Sequence, residues 1–393
     1  MDKQVAGGGK GEKEQKMMSD AKERAGASKW KLDTPCLVIA EDILEKNIVA
    51  MQAHAAAFGK KLRPHAKTHK CSRIASMQMR AGAVGIGVAK VSEAEVLVNK
   101  GFQGVLITSP VVTDYKIERL MGCLSQDLEL MVVVDSPDNA RRLNDAATKS
   151  ALKLNVLVDL DPGMGRTGIS FNDGLAMGRL LNSLPSLRLR GVQCYAGHVQ
   201  HISSFEERRR ASLHWMNRAA EVVQQFRQNG LPCDIFTGAG TGTYEIDCQL
   251  PELTDLQVGS YTLMDAEYLN IGSSQNPSGF TKFPPALTLL TTVISMNHPH
   301  FFTVDAGLKA LYHHGGTPYV IHPPDSGWHY EWWGDEHGRI VLPNPPPRIS
   351  LGEVLELVVS HCDPTVNLFE FFYVIRDGIV KDIWAIDMRG KCQ

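Results

Sequence analysis

The feature that most constrains the fold of this chain is a regular alternation of strand-like and helix-like segments between residues 62 and 264. Of the eight strand candidates, seven are largely apolar runs of four to eight residues, which is typical of buried parallel strands. Amphipathic segments with helical spacing lie between them. Eight such strands over about 225 residues predict an α/β protein built on one TIM-like (β/α)8 barrel. A doubly wound open sheet is the alternative, although it would be a large one. The strand candidates are Leu62–Lys67, Val84–Ala89, Val105–Thr108, Leu130–Asp135, Leu154–Leu160, Leu189–Ala196, Asp234–Gly238 and Leu256–Met264.

After residue 283 the rhythm changes to short strands without helical intervals, separated by glycine and proline and including a proline-rich connector at residues 343–347. This pattern predicts a second, all-β domain. A strand predicted at Thr34–Ala40, ahead of the barrel, is expected to join the sheet of this second domain. We therefore predict a disordered tail at residues 1–30, a barrel at 41–283 and a β domain formed by 31–40 and 284–393. The later strands are predicted at Thr288–Met296, Phe301–Asp305, Tyr319–His322, Arg339–Val341, Val354–Ser360 and Phe371–Ile375.

Composition excludes several classes of protein. The net charge of −2 provides no overall field that would recruit nucleic acid or an acidic membrane. No apolar run approaches the roughly 18 residues that span a bilayer. The eight cysteines form no CxxC pair, which indicates reduced thiols. The tail lacks the apolar stretch of a signal peptide and contains acidic residues that a transit peptide avoids. We expect a cytoplasmic protein, with an organelle left open.

Polar residues gather where the barrel strands end, which is where such barrels carry their active sites. Extended geometry over Lys61–Lys70 would place Arg63, His65, Lys67 and His69 on one face. Four basic side chains pack poorly, so this face suits water or an anionic ligand. Neighbouring cations also lower the pKa of a lysine, which frees its amine to form a Schiff base with a carbonyl compound. The alternative is a solvated basic edge that contacts nucleic acid.

Three further loops carry candidate residues. The loop Thr237–Tyr244 after the seventh strand alternates glycine with threonine, which suits a phosphate cradle there but is also ordinary turn chemistry. Arg166 lies in a glycine-rich loop after the fifth strand; it either reaches the barrel mouth or pairs with Asp159 or Asp161. The loop after the sixth strand carries His198 and His201, and for His201 we favour a surface position.

In the β domain, the segment Ser360–Pro364 contains a histidine and an aspartate one residue apart. If the strand continues through it, His361 and Asp363 share a face and Cys362 points away. An imidazole and a carboxylate can serve as two ligands of one metal ion, and the oxygen ligand favours Mn²⁺ or Mg²⁺ over Zn²⁺. The alternative is ordinary polar surface.

These motifs together resemble the D-threonine aldolase and D-serine dehydratase family, which are fold-type III, alanine-racemase-like enzymes that use pyridoxal 5'-phosphate and a divalent metal. The resemblance rests on Pro64–His69, Thr237–Tyr244 and His361–Asn367 and runs from about Leu32 to the end. It implies a homodimer in which Lys67 carries the cofactor as a Schiff base. It further implies a phosphate held by Gly238, Gly240 and Thr241, Arg166 facing the pyridine nitrogen, Tyr195 beside the ring, His198 as an acid/base candidate, and a metal held by His361 and Asp363.

The family divides by chemistry at the β-carbon. Its dehydratases typically carry His-x-Cys, a zinc grip, and its aldolases His-x-Asp, as in His361-Cys362-Asp363 here. The resemblance therefore implies cleavage of D-3-hydroxy amino acids, such as D-threonine to glycine and acetaldehyde. The first alternative is a D-serine or D-3-hydroxyaspartate dehydratase, in which Cys362 would ligate the metal. A non-catalytic pyridoxal phosphate carrier on the same barrel is disfavoured. Such carriers lack a second β domain, whereas the segment after residue 283 here is long enough to form one.

Overall fold

The computed structural model of the protein describes residues 23–124, 129–324, 326–343 and 349–393. These divide into two compact units. The barrel unit comprises residues 45–284 with 390–393, and the β unit comprises the residues up to Leu44 with 285–389. Most of the predicted tail (residues 1–22) and of the proline-rich connector (344–347) lies outside the described residues.

In chain order the regular elements alternate strands and helices through the barrel unit and then become almost entirely strands. They are β1 (Cys36–Ala40), α1 (Glu41–Ala57), β2 (Lys61–Leu62), α2 (Ser72–Arg80), β3 (Gly87–Val88), α3 (Val91–Asn99), β4 (Leu106–Ile107), α4 (Asp114–Gly122), β5 (Met131–Val134), α5 (Pro137–Lys149), β6 (Leu154–Leu160), α6 (Gly174–Ser183), β7 (Leu187–Cys194), α7 (Phe205–Gln228), β8 (Ile235–Gly238), α8 (Tyr244–Asp247), β9 (Asp255–Leu256), α9 (Ala266–Leu269), β10 (Leu287–Ser295), β11 (Phe301–Val304), β12 (Tyr319–His322), β13 (His329–Trp332), β14 (Gly338–Val341), β15 (Val354–Val358), α10 (Cys362–Val366), β16 (Phe371–Arg376) and β17 (Ile379–Ala385). Short 3₁₀ turns occur at Lys29–Lys31, Phe171–Asp173, Gly197–Val199 and Ser260–Thr262.

The barrel unit is built on eight parallel strands in the order β2-β9-β8-β7-β6-β5-β4-β3. A parallel bridge between His65 and Gly87 joins the two ends of this order and closes the ring. The prediction of a (β/α)8 barrel is confirmed, and the closed ring excludes the open sheet. The strands read as apolar runs because both faces are covered: β5 and β6 are buried along their whole length. Inside the ring, Leu106, Met131, Val133, Leu157 and Ile235 form one apolar cluster.

The β unit is a nine-stranded sheet in the order β11-β14-β13-β12-β15-β10-β1-β16-β17. The strand predicted before the barrel, β1, lies inside this sheet, antiparallel to β10 and parallel to β16. The sequence prediction missed β13 and β17. It also extended β15 to Ser360, whereas the strand ends at Val358 and α10 follows. The helix begins there because Pro364 lies in its first turn, where a proline needs no N–H donor and its fixed φ is already helical. The β unit is therefore not purely β.

Candidate active site

A cavity of about 750 Å³ opens in the barrel unit at the carboxyl ends of the strands. Each of the eight barrel strands contributes at least one lining residue at or beyond its carboxyl end. This volume and position are those of a small-molecule site in a parallel barrel. Lys67, Arg166, Tyr195, Gly240 and Thr241 all line the cavity, so the structure brings five of the predicted residues together.

Lys67 stands out from its neighbours by exposure. From Leu62 to Ser72 every residue is buried except Lys67, which is partly exposed and lines the cavity. The segment leaves extended geometry after the bridge at His65 and turns over residues 66–69. Lys70 ends the turn with a φ of 46°. The turn thus presents one amine to the cavity from an otherwise buried stretch.

The prediction that four basic side chains share one strand face is wrong. The segment turns over residues 66–69, and Arg63, His65 and His69 each contact a different group. Arg63 is buried and donates from Nε to Asp255 at 2.9 Å. Nδ1 of His65 accepts the backbone N–H of Lys67 at 3.2 Å, so its proton belongs on Nε2, which lies 3.0 Å from Oγ1 of Thr108. Nδ1 of His69 likewise accepts the backbone N–H of Cys71 at 3.1 Å. Each ring uses one nitrogen as an acceptor, and neither is a doubly protonated cation in this arrangement.

The glycine loop after β8 faces the cavity through Gly240 and Thr241, and the loop after β9 adds Gly259 and Ser260. A Cβ at Gly259 would come within 2.6 Å of Oγ1 of Thr68. That hydroxyl is buried and has no hydrogen-bond partner among the residues that the structure describes. An unsatisfied hydroxyl beside the glycines of these loops, where the backbone can approach a ligand closely, fits the oxygens of a phosphate group. Thr68 lies inside the motif Pro64–His69 but was given no role there, and Gly259 and Ser260 were missed because no motif marks them.

Gly238 does not belong to the lining of the cavity as described. It ends β8, where a Cβ would lie 2.1 Å from the carbonyl oxygen of Cys194 on β7. Glycine is needed at this position because the two strand backbones approach closely.

Arg166 and Tyr195 lie beside each other at the cavity wall, with the guanidinium carbon of Arg166 5.7 Å from the centroid of the Tyr195 ring. Both aspartates that could have paired with this arginine are used elsewhere. Asp159 accepts from Gln193 at 2.9 Å and from Thr167 at 2.8 Å. Asp161 accepts backbone N–H groups of its own loop. Arg166 therefore remains available to a ligand in the cavity. Burial, together with the nearby Asp135, raises the pKa of Asp159 to about 6.

The two histidines after β7 differ in position. His198 is exposed, lies 6.2 Å from the ring of Trp215 and is outside the described cavity lining. His201 lines the cavity; its side chain is 34% exposed, and its Nδ1 lies 3.3 Å from Oε1 of Glu267. The expectation of a surface position for His201 is therefore wrong. Its carboxylate partner follows β9, some sixty positions later, which sequence spacing does not show.

The histidine–aspartate pair lies in the β unit at the start of α10. His361 is the last extended residue before the helix, and Asp363 is the second helical residue. Nε2 of His361 and Oδ2 of Asp363 are 4.0 Å apart, with 19% and 14% of the side chains exposed, whereas Cys362 is fully buried. The predicted grouping thus occurs, although the change from extended backbone at His361 to helix at Cys362, and not strand alternation, produces it. No cluster of three or more potential ligands occurs in the described parts of the chain, so the pair fits a metal as two of its ligands.

Two family descriptions match the chain: alanine racemase, N-terminal domain, over residues 39–266, and putative serine dehydratase domain, over residues 286–375. With a lysine at the mouth of the barrel, these matches define a pyridoxal-phosphate enzyme of fold type III. Within that class, the chain belongs to the family of D-threonine aldolases and D-serine dehydratases.

Similar proteins span nearly the whole chain. A D-threonine aldolase of Arthrobacter sp is 39% identical over 92% of this chain and 93% of that protein. A 3-hydroxy-D-aspartate aldolase of Paracoccus denitrificans (strain Pd 1222) is 34% identical over 93% and 94%. The crystal structure of D-threonine aldolase from Filomicrobium marinum has a TM-score of 0.86 at 35% identity and covers 94% of this chain and 99% of that chain. The predicted family and carbon–carbon lyase type are confirmed. Among the described helices, none is long and apolar enough to cross a membrane.

Proposed function

We propose that the protein is a metal-assisted, pyridoxal-phosphate-dependent aldolase that cleaves D-3-hydroxy amino acids, with D-threonine giving glycine and acetaldehyde. The observation that carries this proposal is that Lys67, partly exposed within an otherwise buried segment, presents its amine to the cavity at the barrel mouth. The two aldolase relatives with 39% and 34% identity support the reaction type.

The cavity residues fit the cofactor in defined roles. Lys67 would hold its carbonyl carbon, while Gly240, Thr241 and Thr68 would bind its phosphate. When bound, the cofactor supplies the delocalised system that accepts the electron pair left at Cα when the Cα–Cβ bond breaks. Arg166, a permanent cation, would keep the nitrogen that it faces unprotonated. Tyr195 would pack beside the ring, and Gly238 would keep β7 and β8 close enough to support the loop.

The imidazole of His361 and the carboxylate of Asp363 would hold the metal. This donor set suits Mn²⁺ or Mg²⁺, with Zn²⁺ less favoured because the sulfur of Cys362 is buried. The metal would polarise the β-hydroxyl of the substrate and make it more acidic.

A base must take the proton of that hydroxyl as the aldehyde forms. We propose His201 for this step in place of His198. Its Nδ1 lies 3.3 Å from Oε1 of Glu267, which holds the ring at the cavity wall, and Nε2 would take the proton. The ring of Tyr268, at 4.5 Å, restricts it from one side.

The proposal is tested with Lys67→Ala and, as a matched control, Lys61→Ala, which removes an exposed lysine of β2. Lys67→Ala should lose the absorbance of the bound cofactor and all turnover of D-threonine, and Lys61→Ala should keep both. A Lys67→Ala enzyme that retains bound cofactor and turnover would refute the assignment.

We further propose a homodimer in a reducing, cytoplasmic compartment. None of the eight cysteines, all of which the structure describes, forms a disulfide, as expected for such a compartment. Light scattering of the purified enzyme should give twice the chain mass of 43.3 kDa. A monomer with full activity would contradict the dimer.

A further inference from the structure

A buried arginine lies behind the glycine loop, outside the cavity lining. Arg208, near the start of α7, is fully buried. Nε of Arg208 donates to the carbonyl oxygen of Gly242 at 2.7 Å. Its two terminal nitrogens donate to the carbonyl oxygens of Ile202 and Gly272. Ile202 and Gly242 lie in the loops after β7 and β8, and Gly272 lies in the loop after α9. One guanidinium therefore ties together three neighbouring loops of the barrel mouth.

Arg208 forms no ion pair among the residues that the structure describes, because all its hydrogen bonds go to neutral backbone carbonyls. Burial lowers its pKa, and the charge of Glu245 opposes this effect. A guanidinium nevertheless stays protonated in proteins. A buried cation without a counter-ion is costly, so an anion bound at the adjacent loop would offset part of this cost.

The loop that Arg208 holds is strained and gripped from several sides. Ala239 adopts a φ of 61°, in the left-handed region that residues other than glycine avoid. Gln200 accepts the N–H of Gly242 at 3.0 Å, while Arg208 binds the carbonyl of the same residue. Oγ1 of Thr243 accepts the N–H of Gly240 at 3.2 Å. Such strain persists only where the surroundings hold the backbone in place.

We propose that Arg208 is a positioning residue for a phosphate monoester: it holds the loop after β8 in its anion-binding shape, and its buried charge favours the phosphate dianion. This inference rests on the proposed function, since pyridoxal 5'-phosphate would supply that phosphate. Arg208 acts through the backbone of Gly242 and need not touch the ligand.

The test compares pyridoxal 5'-phosphate with pyridoxal, which has the same ring and aldehyde but no phosphate. Dissociation constants of the apoenzyme for both ligands are measured by absorbance for wild type, Arg208→Met and Arg208→Lys. The control Arg209→Met removes the neighbouring arginine, which is exposed and pairs with Glu206 at 2.9 Å. Arg208→Met should weaken pyridoxal 5'-phosphate by about 30-fold or more, as for other buried charged contacts, and pyridoxal by less than about 3-fold.

Arg208→Lys keeps the charge but loses the fork of donors, so its loss should be intermediate. If Arg208→Met does not fold, Arg208→Lys decides, and selective weakening of the phosphate-bearing ligand supports the role. Equal weakening of both ligands, or no weakening, overturns the inference. Wild-type enzyme that binds neither ligand refutes the proposed function and this inference with it. If wild-type enzyme binds both ligands and the Arg208 variant weakens both equally, only the inference is refuted.

Discussion

The barrel mouth and the histidine–aspartate pair of the β unit are built differently. At the barrel mouth, buried side chains such as Gln200, Thr243 and Arg208 hydrogen-bond the glycine loop from behind. In the β unit, His361 and Asp363 stand as two partly exposed side chains at the start of a five-residue helix. A cofactor site at the barrel mouth would therefore be shaped by the protein alone, whereas a metal held by His361 and Asp363 would take its remaining ligands from water or substrate. The metal should exchange readily and the cofactor should not.

The largest expected effect follows from removing one metal ligand. His361→Ala should lower kcat by about 1,000-fold, since a metal contributes several kcal/mol to a developing oxyanion, yet keep the absorbance of the bound cofactor. Activity and absorbance measured on the same preparation check this. The exposed His298→Ala serves as the control. Loss of cofactor together with activity in His361→Ala would show that the two sites are not built independently.

The second prediction separates the two histidines after β7. His201→Asn should lower kcat by about 100-fold, the smaller end of general-base effects, and should flatten the pH dependence of kcat. His198→Asn should change kcat by less than about 3-fold, because its ring lies against Trp215 and outside the cavity. The opposite ranking of the two variants would restore His198 as the base.

A third prediction concerns the support of the glycine loop. Asp247 is buried and accepts from Ser212 at 2.6 Å, and burial raises its pKa from 3.8 to about 6. The folded state therefore binds more protons than the unfolded state between about pH 4 and pH 6, so this group's contribution to stability falls as the pH rises through that window.

Asp247→Asn is neutral at every pH. The free energy of unfolding of Asp247→Asn minus that of wild type should increase by about 2.4 kcal/mol from pH 4 to pH 7. Denaturant titrations at several pH values measure it. A flat difference for Asp247→Asn would mean that this carboxyl titrates normally.

The smallest expected effect comes from Gly238→Ala, which tests whether Gly238 is needed for strand packing or for binding the phosphate. Gly238→Ala should lower the free energy of unfolding by about 2 kcal/mol, because its Cβ meets a backbone carbonyl that cannot move aside easily. The ratio of affinities for pyridoxal 5'-phosphate and pyridoxal should stay that of wild type. A selective loss of phosphate affinity would return Gly238 to the phosphate site.

Local patterns were enough to predict the barrel, because most of its strands are buried on both faces and so read as largely apolar runs, as in β5. Lys67 could be singled out because a lysine between two histidines is a local motif. The partners could not be foreseen: Arg63 pairs with Asp255, 192 positions away, and Arg208 binds Gly272, 64 positions away. Such contacts follow from the closed ring. The start of α10 also required knowing where β15 ends.

The most direct test of the metal-assisted aldolase is product analysis of the purified enzyme with D-threonine, with and without a chelator. We predict glycine and acetaldehyde in equal amounts, loss of turnover with the chelator, and recovery on adding Mn²⁺. Release of ammonia and 2-oxobutanoate, with pyruvate from D-serine, would contradict the account and identify a dehydratase.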